Sequence, residues 1–193
     1  MATSTTSYHH GDLPNALVRA AVELLEEGGA TELSLRAAAR RAGVSTAAPY
    51  RHFADRNALL SAVAAVGYRE LAAHLAAAHP EPATKEGLAA TAVAYVQFAL
   101  TRPGLFRVMF AEGCDPTSSE RVAAVDAINE YLKAIVRQAF PTADTEGMAT
   151  AVWALVHGLA FLHMDGKFEA APAEAVADRI RTAVYAILGP WVG

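Results

Sequence analysis

The sequence predicts an all-α protein of about nine helices. Three observations carry that expectation. Apolar residues recur at three- and four-residue spacing through Ala- and Leu-rich segments, alternating Val/Ile/Thr runs bounded by hairpin turns are missing, and Gly/Pro breaks bracket each helical pattern. With 193 residues and 53% hydrophobic content, the chain can bury a sizeable core.

The first helix is expected from about Leu13 to Glu27, with Asp12 as N-cap, Leu17, Ala20, Ala21 and Leu24 on one face, and Gly28-Gly29 as the stop. A second starts after Ser34 and ends at Gly43, where glycine takes a positive φ without penalty. A third starts at Ser45. Only Gly43 and Val44 separate these two, so they must cross steeply, as in a helix-turn-helix. A fourth is capped by Asp55 and runs to about His79. Breaks at Pro80-Glu81-Pro82, Arg102-Pro103-Gly104, Glu112-Gly113-Cys114-Asp115-Pro116, Pro141-Thr142-Ala143-Asp144 and Asp165-Gly166-Lys167 then bracket five further helices. The two longest late ones, roughly Thr145 to Met164 and Ala173 to Leu188, carry few charges. A helix apolar nearly all round needs a partner on each side, and a second copy of the chain, meeting it as a four-helix interface, is an economical one. A central core position fits one of the two helices, less easily both.

Net charge is −4, yet its distribution is uneven. Between Leu33 and Arg56 lie five arginines and one acid, Asp55, a cationic stretch of the kind that steers DNA. Residues 61 to 193 hold ten basic and fourteen acidic side chains, which account for the whole net charge. The run Leu35 to Phe53 rewards close reading. Small Ala39 lets two helices approach, Gly43 makes the turn, and Leu35, Val44, Pro49 and Phe53 suit an apolar wedge beneath. Ser45 is a good N-cap for the helix that follows. Thr46-Ala47-Ala48 offers methyl and hydroxyl groups to a base edge in the major groove, and backbone N–H groups there suit a phosphate. Tyr50, Arg51, His52 and Arg56, with Arg36, are donors suited to phosphate oxygens. Pro49, as the fourth helical residue, sacrifices only the first intrahelical bond.

Leu33-Ser34-Leu35-Arg36, Ala42-Gly43-Val44-Ser45, Tyr50-Arg51-His52-Phe53 and Asp55-Arg56-Asn57-Ala58-Leu59-Leu60 closely resemble the tetracycline-repressor (TetR) family of transcription regulators. The resemblance is strong over roughly residues 8 to 70. It implies that Tyr50 and His52 contact DNA phosphates and that Arg56, opening the next helix where the family more often has Lys, does likewise. Tyr8-His9-His10-Gly11-Asp12-Leu13, Ala48-Pro49-Tyr50 and Trp153 with His157-Gly158 further resemble a subgroup named for a Trp-His-Gly motif. The implied organisation is a helix-turn-helix domain at 1–58, with an N-terminal arm at 1–11, and a ligand-binding and dimerisation domain at 59–193. The implied function is that of a homodimeric regulator, a repressor in the family pattern, released from or tuned on a near-palindromic operator in double-stranded DNA by a small-molecule effector.

Trp153, His157, Phe161 and Met164 share one helix face and are the leading candidates to line an effector cavity, joined by Tyr95, Phe98, Phe106, Met109 and Phe110. Plain core packing suits the same aromatic pattern. His9 and His10 suit an arm or a polar lead-in. His74 with His79 and His157 with His163 lack the i, i+4 spacing of a helical zinc site, so no metal or cofactor is expected. Cys114 is the only cysteine, which excludes an intrachain disulfide, and no Arg or His adjoins it to lower its pKa. A polar N-terminus without export signal or anchor, and no run of about 18 uninterrupted apolar residues, give a cytoplasmic expectation with no membrane partner. Phosphate-loop, dinucleotide and nucleophile-elbow strings are missing, so no catalytic residue is expected. The competing reading is a helical ligand carrier or enzyme whose N-terminal helices only pack. It would have to explain an acid-poor, Arg-dense helix pair with small residues at its tip.

Overall fold

Five of the helices begin at a side chain that accepts from a backbone N–H left orphaned in the first turn, each cap contributing about 1 kcal/mol. Ser34 accepts from Ala37, Asp55 from Ala58, Thr84 from Gly87, Ser118 from Arg121 and Asp144 from Glu146. The computed structural model describes residues 12–110, 113–141 and 144–188. The N-terminal arm, with His9 and His10, lies outside them. The helices are α1 (Leu13–Gly28), α2 (Leu35–Arg41), α3 (Arg56–Ala76), α4 (Lys85–Thr101), α5 (Pro103–Phe110), α6 (Ser119–Ala139), α7 (Thr145–Met164) and α8 (Ala173–Leu188). Short 3-10 turns occupy Ala30–Glu32 and Ala48–Arg51, and no strand occurs among the described residues.

The all-α expectation holds, with eight α-helices among the described residues in place of about nine. The missing one is the third: its segment folds as a turn at Thr46-Ala47 followed by the 3-10 turn. Pro49 explains the difference. It lacks an N–H and disfavours α geometry at the preceding Ala48, so the short segment closes with i, i+3 bonds, Ala48 N–H to the Ser45 carbonyl and His52 N–H to that of Pro49. Two expected caps are also corrected. Asp12 turns its carboxylate sideways to Asn15 (2.6 Å) and Arg19 (3.4 Å) instead of capping α1. Ser45 contributes its carbonyl, and its hydroxyl caps nothing.

α1, α2 and the start of α3 pack through Leu17, Ala21, Leu25, Leu35, Ala38, Phe53, Leu59 and Leu60, all buried. α3 then continues into the second layer, lying against α4, α5 and α6, while α4 packs on α7 and α8. Close approach fixes two of these crossings. A Cβ on Gly67 of α3 would stand 2.6 Å from Met109 Sδ of α5, and one on Gly104 of α5 would collide with the Leu25 carbonyl oxygen of α1. Beside Gly104, Arg102 ties Glu26 of α1 (3.1 Å) to Glu70 of α3 (2.8 Å). The N-terminal helices are thus fastened to the larger helical layer through the α4–α5 corner.

Candidate nucleic-acid interface and helical cavity

The turn after α2 is a Schellman motif built from the residues the sequence singled out. Val44 N–H donates to the Ala39 carbonyl (3.0 Å) and Gly43 N–H to that of Arg40 (3.2 Å), with Gly43 at φ +70°. Fully buried Ala39 lets the helices meet, and Leu35, Pro49 and Phe53 are buried below with Val44 half-buried at the edge. This wedge leaves Ser45, Thr46, Ala47, Tyr50, Arg51 and His52 exposed at the tip, Tyr50 at 52%, with Ala48 half-buried behind them. Among the described residues, no hydrogen bond or ion pair engages the side chains of Arg36, Arg40, Ser45, Thr46, Tyr50, Arg51 or His52.

The arginines divide sharply. Arg41 bridges Glu23 (3.2 Å) and Glu27 of α1, and its guanidinium holds the Glu27 carboxyl below the usual carboxylate range. Arg56, half-buried, donates from Nε to the Leu33 carbonyl (3.1 Å) and from Nη2 to that of Ala30 (2.7 Å). It braces the α1–α2 connection, which sequence reasoning did not anticipate. Arg36, Arg40 and Arg51 keep their charges unpaired on the outer surface. Arg40 was not singled out by the sequence, although it lies one helical turn beyond Arg36.

The aromatic candidates of the larger layer do come together. The Tyr95 hydroxyl and His157 Nδ1 are hydrogen bonded at 2.9 Å. The His157 ring lies 4.7 Å from Phe110, 4.9 Å from Phe161 and 5.3 Å from Trp153, while Phe106 packs 4.8 Å from Phe110. Burial pushes the Tyr95 hydroxyl pKa up and that of His157 down, so neutral forms are favoured in both. Two cavities flank this cluster, of about 50 Å³ and 170 Å³, and they share Tyr95, Leu132 and Trp153 as walls. Phe110 lines the larger. Phe98, Phe106, Met109, His157, Phe161 and Met164 line neither. Phe106 and Met109 are fully buried packing residues, and Phe98 packs 6.1 Å from His74. The lining from α6 was missed. Its contribution is Val125, Ile128, Leu132, Ile135 and Val136 with the amide of Asn129, and the three- and four-residue spacing of the apolar members was the available signal.

α7 is apolar along its length, yet its buried residues are Val156, Leu159, Ala160 and His163 alone. Ala151, Trp153, Ala154, Gly158 and Leu162 are exposed. By length and composition it is also the one helix among the described residues long and apolar enough to cross a membrane.

A family described as bacterial regulatory proteins, tetR family, matches residues 17–63, and a tetracyclin repressor-like C-terminal domain matches residues 88–185. The class A tetracycline repressor from transposon 1721 of Escherichia coli is 47% identical over 51 residues, 26% of this chain and 24% of that repressor, so the shared segment spans about a quarter of its length. A solved protein of unknown function from Rhodococcus sp. RHA1 superposes with a TM-score of 0.79 at 33% identity, covering 97% of this chain and 100% of that one. A TetR family transcriptional regulator, PfmR, from Thermus thermophilus shares the fold, with a TM-score of 0.63 at 23% identity over 87% of this chain and 96% of that one.

Proposed function

The chain belongs to the tetR family of bacterial regulatory proteins, and from that membership we propose that it binds double-stranded DNA through the α2–turn tip and regulates transcription in the cytoplasm as a homodimer. The observation that carries this reading is the row of exposed, unpaired side chains on a rigid wedge. Arg36, Tyr50, Arg51 and His52 meet phosphates, and Ser45, Thr46, Ala47 and Ala48 face the base edges. Residues 1–58 form the reading module and 59–193 the effector and dimerisation module.

The uncovered apolar face of α7, together with α8, which like α7 packs on α4, is offered to the same helices of a second copy, where Gly158 and Ala154 permit close approach. Two tips then fall on half-sites of a near-palindrome, about one helical turn of roughly 34 to 36 Å apart or a multiple of it. An effector in the cavities beside Trp153 shifts α5, and the Glu26–Arg102–Glu70 bridge carries the shift to α1, so operator affinity changes and repression is relieved.

Selection from random duplexes tests the reading. It is expected to return one near-palindromic sequence, bound by a dimer, and Thr46→Arg is expected to abolish that preference by crowding the groove. Enrichment of no sequence would return the N-terminal helices to a packing role.

A further inference from the structure

Thr91 of α4 is buried at 8% exposure, lines the smaller cavity, and its Oγ1 has no hydrogen-bond partner. A buried hydroxyl left unpaired costs free energy that a ligand oxygen can recover. The other walls of that cavity are aliphatic apart from Tyr95 and Trp153, and no charged residue lines either cavity. Resting on the effector reading above, we infer that the effector is a neutral, largely apolar molecule with a single hydroxyl or carbonyl oxygen, which bonds Thr91 in the smaller cavity while its hydrocarbon body displaces the shared Trp153 wall and extends into the larger one.

Size and charge support this class. Apolar cavities of about 150 Å³ accept benzene, so the 170 Å³ space takes one ring or a short branched chain. An ionised group would lose its hydration with no counter-charge in the lining. Arg121, one helical turn before Val125, acts on the Tyr68 wall of the larger cavity, and its Nε is itself buried without a partner. It stands outside both linings, and a carboxylate ligand would have to reach it. Trp153, 46% exposed yet shared by both cavities, is the wall a ligand displaces, and its emission reports occupancy.

The full-length protein is titrated with three probes of one skeleton: 2-cyclohexylethanol, cyclohexylacetate and 2-cyclohexylethylammonium. Trp153 emission and Tm are followed, with Trp153→Phe as the optical blank. The alcohol alone is expected to bind. Thr91→Val keeps the shape and is expected to weaken it roughly fivefold, the share of one hydrogen bond, without lowering the Tm of the free protein. Leu132→Phe narrows the shared wall and is expected to abolish binding. Preferential binding of cyclohexylacetate, lost in Arg121→Gln, would overturn the neutral class and leave the cavity as effector site. Binding of the alcohol that ignores both Thr91→Val and Leu132→Phe would overturn the assignment to these cavities. No binding of any probe, with operator selection intact, would overturn this ligand class without touching the DNA-binding reading.

Discussion

The tip at residues 45–52 and the aromatic cluster around His157 are opposite solutions to placing functional side chains. At the tip, everything below is satisfied: the Schellman carbonyls, the Ser34 cap and the Arg56 brace hold a small exposed surface whose polar groups are unpaired. In the cluster, the side chains are themselves the packing, and Tyr95 and His157 pair with each other. Substitution of an exposed tip side chain is therefore expected to change binding with little effect on stability, whereas substitution in the cluster changes stability first. Function read from exposed, unpaired groups is separable from the fold, and function read from a cavity wall is not.

Phe106→Ala is the most severe test of that contrast. It empties a fully buried ring site among Tyr95, Phe110 and Phe161, and thermal unfolding is expected to show a loss of about 3 to 5 kcal/mol. At Gly104 the added methyl meets the Leu25 backbone, so Gly104→Ala is expected to cost about 1 to 3 kcal/mol and to loosen operator affinity, because α1 must shift. Denaturant titration beside DNA titration checks both effects, and unchanged affinity would uncouple α5 from the tip.

The arginines sharpen the comparison within one module. Arg51→Ala is expected to leave stability within about 0.5 kcal/mol and to make the salt slope of DNA binding shallower by about 1. Arg56→Ala is expected to lower Tm, since it frees the carbonyls of Leu33 and Ala30. Equal stability in the two variants would return Arg56 to the purely DNA-facing role that its sequence position suggests.

The smallest effect is in pH. Burial holds His157 below the ordinary imidazole value, so the unfolded chain binds the proton more readily. Stability is thus full above the unfolded pKa of about 6.5 and falls as pH drops through it towards the folded value. Tm scans from neutral to mildly acid pH are expected to show this loss in the wild type, with the component removed in His157→Gln. A wild-type curve that runs parallel to the variant would sink the assignment.

Much of the N-terminal helical module was legible because its signals are local. Ser34, Asp55 and Gly43 act within a few residues of themselves, and the alternation of buried and exposed positions from Leu33 to Phe53 follows from them. The 3-10 turn was missed because Ser45 reads as a cap in isolation, while Pro49 four residues later decides the geometry. The bracing role of Arg56 was not legible because its partners, 23 and 26 residues away, lie across a loop. The aromatic stripe of α7 showed which face is special. Whether each ring lines a cavity or fills it depends on α6, and no pattern within α7 contains that information.

The central claim is that the exposed tip reads DNA. It is tested most directly by titrating the selected duplex by anisotropy against salt, with wild-type protein and Tyr50→Ala. The predicted result is a steep wild-type slope of about −0.9 per phosphate contacted, a shallower slope and clearly weaker binding for Tyr50→Ala, and identical Tm for the two. Superimposable binding curves would contradict it.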